Sequence, residues 1–459
     1  MKILKTSIIP AVSLLSLAFL GSAQGSPLSP ALQDYEGSGN NVVNSGTLGV
    51  VSGTSAFGIR FSGVSGSSTV VVNNNTLTNN GVIISGGAVG TINAGGDTAS
   101  AAVLFDGAGG QVNANTIVNN GLLFEQSPDM GGGIVLISSS DAIANVIQNN
   151  GQIGVSGSSY GVGIGVQGIN ISSNNILNSG AIYVASGRAD GIILGGLGAV
   201  TNNTVVNTGM ISIEMNDMDV AARGMTLQSG STGGISGNVL TNAGVISLTS
   251  TGGGSRLLGI HIETGSSDEE AVMDVTSNRI TNSGSIVLNG SNGSATGIDI
   301  FPCYGGVIGN TITNSGNIAI NFNGGDIYGI QIYPVGSVIG NTVVNTGNIS
   351  LDGTDISANG ISMVSDSGDA SGNTVSNAGI LHVSGDWEST GIKITGEGTV
   401  SGNTITNFGS LSVSATNGTA TAISLGGDRG GGSFMARRPM GVANGNTIVN
   451  TGSRQVYGR

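Results

Sequence analysis

The pattern Asn-x-x-x-Asn-x-Gly occurs thirteen times in this chain, closing on Gly46, Gly81, Gly121, Gly151, Gly180, Gly209, Gly244, Gly284, Gly316, Gly347, Gly379, Gly409 and Gly452. Most copies lie about 30 residues apart, and the longer intervals fit loops growing out of otherwise equal coils. So short a unit cannot bury its own apolar face. It can do so only against the next copy, so a stacked array is the expected product.

Within a unit the residues alternate as strand residues do. In Asn310-Thr311-Ile312-Thr313-Asn314-Ser315-Gly316-Asn317-Ile318-Ala319-Ile320, Asn310, Ile312 and Asn314 share one face and Thr311 and Thr313 the other. A second marker, a small residue followed by apolar-x-apolar, comes after every anchor but the last. Gly58-Ile59-Arg60-Phe61, Gly191-Ile192-Ile193-Leu194, Gly259-Ile260-His261-Ile262, Gly297-Ile298-Asp299-Ile300 and Gly391-Ile392-Lys393-Ile394 are examples, with Ala102 and Ala422 standing in for glycine twice. About three short strands per coil, stacked at about 4.8 Å, would bury a column of Ile, Val and Leu and give a rod roughly 60 Å long. The expected fold is all-β, a right-handed parallel β-helix (β-solenoid) of about 13 coils of roughly 30 residues. An antiparallel sandwich also uses short alternating strands, but it does not return one register of Asn, Gly and Ile thirteen times.

Composition agrees. With 83 glycines but only 7 prolines, and with no strict triplet, the chain is not collagen. Its wealth of Val, Ile and Thr and its 8% of charged residues set it apart from disordered chains. Asparagine tolerates left-handed backbone and bonds to nearby peptide groups, which suits sharp turns. Stacked in successive coils, the anchor asparagines would form an amide ladder, with Asn282, Asn314, Asn345, Asn377 and Asn407 as its regular stretch.

The net charge of −13 opposes phosphate backbones, so no nucleic-acid partner is expected. Cys303 is the single cysteine, which rules out an intramolecular disulfide. Lys2 and Lys5, the apolar run Ile8 to Leu20 and the small residues Gly21-Ser22-Ala23 form a signal-peptide pattern, with cleavage expected between Ala23 and Gln24. The expected organisation is a signal peptide at 1–23, a cap or linker at 24–38, solenoid repeats at 39–425, and an irregular segment at 426–459 with one last partial repeat.

A signal peptide followed by repeats of the form Gly-Asn-Thr-Ile-Thr-Asn-Ser-Gly-x-Ile-x-Ile, as in Gly309 to Ile320, resembles the passenger domains of Gram-negative bacterial autotransporters (type V secretion). The likeness extends from Gly39 to Gly452. It implies export, passage through the outer membrane, and display at the cell surface or release outside the cell. It also implies an adhesive role toward a host, a glycan or a neighbouring cell. Autotransporters end in a membrane β-barrel translocator, whereas this sequence stops at Tyr457-Gly458-Arg459. The expectation is therefore a truncated product or one served by a separate translocator, its only link to the membrane.

No catalytic constellation, cofactor site or metal site stands out. His261 and His382 take outward slots four anchors apart, and both are expected to be structural surface residues. Asp268-Glu269-Glu270 with Asp274 forms an acidic cluster in an inserted loop, and Asp217 and Asp219 form a smaller one. Carboxylates can cleave glycosides or hold calcium, but charge runs in loops are mostly solvated tips. The leading expectation is a non-catalytic adhesive passenger. The alternatives are a polysaccharide-active β-helix enzyme with a cleft at the insertions Ser85–Thr98 or Gly265–Asp274, and a structural stalk.

Overall fold

The computed structural model describes residues 33–458 apart from 50–56, 64–69, 87–89, 92–97, 108–109, 128–129, 158, 218–219, 231, 266–271 and 428–441. Every element among the described residues is a β-strand. The strands stack in parallel as a β-solenoid, and only the pair Gly90–Thr91 with Thr98–Gly107 is antiparallel.

Three sheets run the length of the rod. The anchor sheet has thirteen strands, from Asn41–Asn44 to Thr447–Asn450, and a narrow corner sheet has twelve. The third, wide sheet takes two strands from most coils, such as Ala181–Ala185 and Arg188–Gly196. In Ser285–Pro302, Asn317–Ile332 and Asn348–Ser365 the two are fused. A coil thus has four segments where about three were expected, because the stretch carrying the second marker extends the wide sheet.

Register is strict. Ile280, Ile312, Val343, Val375 and Ile405 lie in one row, and Asn282, Asn314, Asn345, Asn377 and Asn407 in the next but one. Both rows are buried. Each Asn Nδ2 donates to the Oδ1 of the next coil at 2.7 Å, from Asn282 through Asn407. This chain of amides begins at Asn44 and reaches Asn450. The first asparagine of each motif builds a second ladder. Asn310 Oδ1 accepts from both the backbone N–H (2.8 Å) and the Nδ2 (3.0 Å) of Asn278, while Asn310 Nδ2 also donates to the Val275 carbonyl at 2.8 Å. Each interior amide of the two ladders therefore finds partners above and below, which offsets the cost of burying it.

The left-handed corner expected of the asparagines falls on the residue just before the first of them. Asn74, Ala114, Ala144, Ser173, Asn202, Ser277 and, in later coils, Gly309, Gly340, Gly372 and Gly402 all have positive φ. The ladder asparagines themselves do not take positive φ, and from Asn44 through Asn407 their side chains are buried inside the rod. Alanine in this conformation costs about 1 kcal/mol that glycine does not. Ala144→Gly, at φ 57°, is accordingly expected to raise stability by about 0.5–1 kcal/mol, read from the urea midpoint.

The core is one continuous apolar column. Its N-terminal end holds stacked rings, Tyr35 on Phe61 at 5.3 Å and Phe61 on Phe105 at 4.3 Å. The rest is mainly Ile, Val and Leu.

Candidate functional site: an outer groove

The second-marker glycine bends the wide sheet outward. Residues three apart in a straight strand face opposite ways, yet Ala222 and Met225, Leu257 and Ile260, and Ala295 and Ile298 are all in the core. The intervening Gly224, Gly259 and Gly297 absorb the bend. A Cβ on Gly224 would lie 2.4 Å from the Gly259 carbonyl oxygen and 2.5 Å from Ile246. On the other side of the bend, the residue before the glycine and the residue two after it converge, forming a groove along the rod.

The lining of the groove changes along its length. In the N-terminal coils Phe57, Ala101, Leu104 and Ile137 make a small apolar cluster with Val135. Beside it lies an open depression of about 50 Å³ walled by Met130, Val135, Ile137, Tyr160 and Val162. In the middle coils the same slots carry charge, in the strands Arg188–Gly196, Ala221–Ser229, Arg256–Thr264 and Ser285–Pro302. Asp190 Oδ1 lies 2.8 Å from Arg223 Nε, and its Oδ2 accepts from Tyr160 Oη at 2.7 Å. Arg223 approaches Glu263 at 3.8 Å. His261 Nε2 is 3.2 Å from Glu263 Oε2, and His261 Nδ1 is 3.0 Å from Asp299 Oδ2. The second contact is close but not aligned as a hydrogen bond, and neither His261 Nδ1 nor Asp299 Oδ1 has a hydrogen-bond partner. Arg256 Nη2 closes the array on Asp299 Oδ2 at 2.9 Å.

Burial corrects the surface role expected of His261. The imidazole is fully buried, as are Asp190 and Asp299, because the bend turns its outward slot into the floor of the groove. Burial alone would push the imidazole down, but the Asp299 and Glu263 carboxylates on either side outweigh it and lift the ring above its ordinary value. Burial pushes Glu263 up, and His261, Arg223 and Arg256 overcome that and hold it down at about 2. His382 is exposed, as expected, and sits 3.2 Å from Asp352.

Past the ionic stretch the groove becomes aromatic and amidic. Arg256 lies 5.4 Å over the Phe301 ring, which stacks on Tyr333 at 5.9 Å. Gln331 and Ser362 then occupy the slots aligned with His261 and Asp299.

The loop candidates fare differently. Asp268, Glu269, Glu270 and Asp219 lie outside the described residues, as does the Ala23–Gln24 cleavage site. Asp274 Oδ1 accepts from the Gly306 N–H at 2.7 Å and so ties two coils together. Among the described residues no group of three or more His, Cys, Asp or Glu side chains is placed to hold a metal ion, and no helix is long and apolar enough to cross a membrane. Fold and groove together define a parallel β-solenoid with a charged outer channel. Comparison with protein-family models, curated proteins and solved structures finds no match for this chain.

Proposed function

We propose that the chain is an exported, autotransporter-like passenger that acts without catalysis as an adhesive surface on the outside of a cell. The observation that carries this reading is the unbroken pair of amide ladders. They make a stiff rod with long flat faces, suited to presenting surface at a distance. The charges in its groove are mutually paired and mostly buried, so they serve to hold coils together. The ligand class is a host surface, a glycan or a neighbouring cell. Cells displaying the chain on a heterologous barrel should gain attachment to one member of a panel of glycan-coated surfaces, host-cell layers and sister cells. Unchanged attachment across the panel would remove the adhesive role and leave that of a stalk.

A second reading has one observation in its favour, since carboxylates and basic residues do converge on a single groove. Glu263 and Arg256, 22% and 38% exposed, are the members a polysaccharide could touch. Release of new reducing ends from an acidic or neutral polysaccharide, lost in Glu263→Gln, would establish a polysaccharide-active enzyme.

A further inference from the structure

Both nitrogens of the His261 ring face carboxylates, Glu263 on one side and Asp299 on the other. A neutral imidazole carries one N–H, so in that form one nitrogen must turn a lone pair toward a carboxylate oxygen. Only the imidazolium suits both neighbours. The charges agree with this. Asp190, Glu263 and Asp299 supply three negative charges, and Arg223 and Arg256 supply two positive ones. The imidazolium brings the array to zero, and the neutral ring leaves one buried negative charge uncompensated.

The groups around the ring come from every strand packed on it. Glu263 and Arg256 share its strand, Arg223 and Thr226 stand on the preceding coil, and Asp299 stands on the following one. Tyr160 and Tyr328, both pushed up mainly by burial, keep their protons through neutral and mildly alkaline pH.

We propose that His261 is a pH-dependent latch on the middle coils. Protonated, it holds Arg256–Thr264 to Ser285–Pro302 through Asp299 and steadies Glu263, which faces Arg223 on Ala221–Ser229, along the floor of the groove. Deprotonated, it sets Glu263 and Asp299 against each other and loosens that side of the bend. Because the folded-state value is raised, the clamp is complete below the ordinary histidine range and is lost as pH rises through the raised value.

Hydrogen exchange on the full chain, corrected for intrinsic rates, tests this. As pH is raised from about 6 through the raised value of the imidazole, protection in Arg256–Thr264 should fall at least about tenfold, while Thr404–Asn407 holds steady. His261→Gln should abolish the pH dependence and stay at the weakly protected level. Asp299→Asn balances the array with a neutral ring, so it should keep the middle coils protected at the higher pH, and it carries the test if His261→Gln does not fold. Equal wild-type protection on both sides of that value, or a wild-type response surviving in His261→Gln, would overturn the latch.

Discussion

Replacing Gly316 with alanine is expected to lower the stability of the surrounding coils by about 3 kcal/mol or more, whereas the same change at Gly46 should alter it by less than about 0.5 kcal/mol. The two glycines hold the same place in the repeat. They differ in what lies beneath them. A Cβ on Gly316 would stand 2.0 Å from the Gly284 carbonyl oxygen, 2.7 Å from the Ser283 carbonyl carbon and 2.9 Å from the Gly284 nitrogen. All three are backbone atoms, so no side chain can swing aside, and the coils must part locally. Parting them would strain the 2.7 Å bonds from Asn282 to Asn314 and from Asn314 to Asn345. At Gly46 nothing lies within 4 Å of the added carbon. Urea unfolding combined with amide exchange in Thr311–Asn314 would measure the difference, since neighbouring coils of a repeat array share their stability. Gly316→Ala matching the wild type would mean that successive anchor turns are not in backbone contact.

That close approach explains why so much of the fold is legible in the chain. Asn-x-x-x-Asn-x-Gly repeats because each of its positions meets its own copy one coil below, so one physical constraint is written into the chain thirteen times. The anchor row at Asn282, Asn314, Asn345, Asn377 and Asn407 and the inward Ile312, Ile318 and Ile320 lie where alternation places them. The groove is harder to read, because strict alternation sends the slot of His261 to solvent. The bend at Gly259 breaks the alternation, and a single repeat does not reveal it, since the glycine looks like any small residue in a strand. A signal is nonetheless present. When the repeats are aligned on that glycine, Asp190, Arg223, His261 and Asp299 fall in two adjacent slots of four successive coils, in a chain with only 8% charged residues. Clustering of rare charges in aligned slots marks a surface where they pair. The second asparagine ladder is visible in the same way, through the regular spacing from Asn278 to Asn310 to Asn341.

Raising the pH from about 4.5 to about 7 is expected to destabilise the N-terminal coils by roughly 3 kcal/mol through Glu125 alone. Glu125 occupies a core position, in a row with Ser85 on one side and Val155 on the other, and it is fully buried. The hydroxyls of Ser85 and Ser100 donate to its two carboxyl oxygens. Burial pushes its carboxyl from 4.5 up to about 7, and the two serine bonds only partly offset that push. The unfolded chain releases this proton near 4.5 while the folded chain keeps it to about 7, so between those values the folded state binds more protons and each rise in pH favours unfolding. Below and above that window Glu125 contributes no slope. Glu263, held down at about 2, contributes with the opposite sign at lower pH, so the informative quantity is the difference between wild type and Glu125→Gln. The amide can still bond both serines and has no charge to bury. At about pH 8 it should be the more stable protein by most of those 3 kcal/mol, and at about pH 4 the two should converge. Exchange protection in Leu122–Gln126 across that range reads the effect where it arises. Parallel pH profiles for the two proteins would mean that Glu125 is ionised and solvated at neutral pH, and that the row from Ser85 to Val155 is not closed to water.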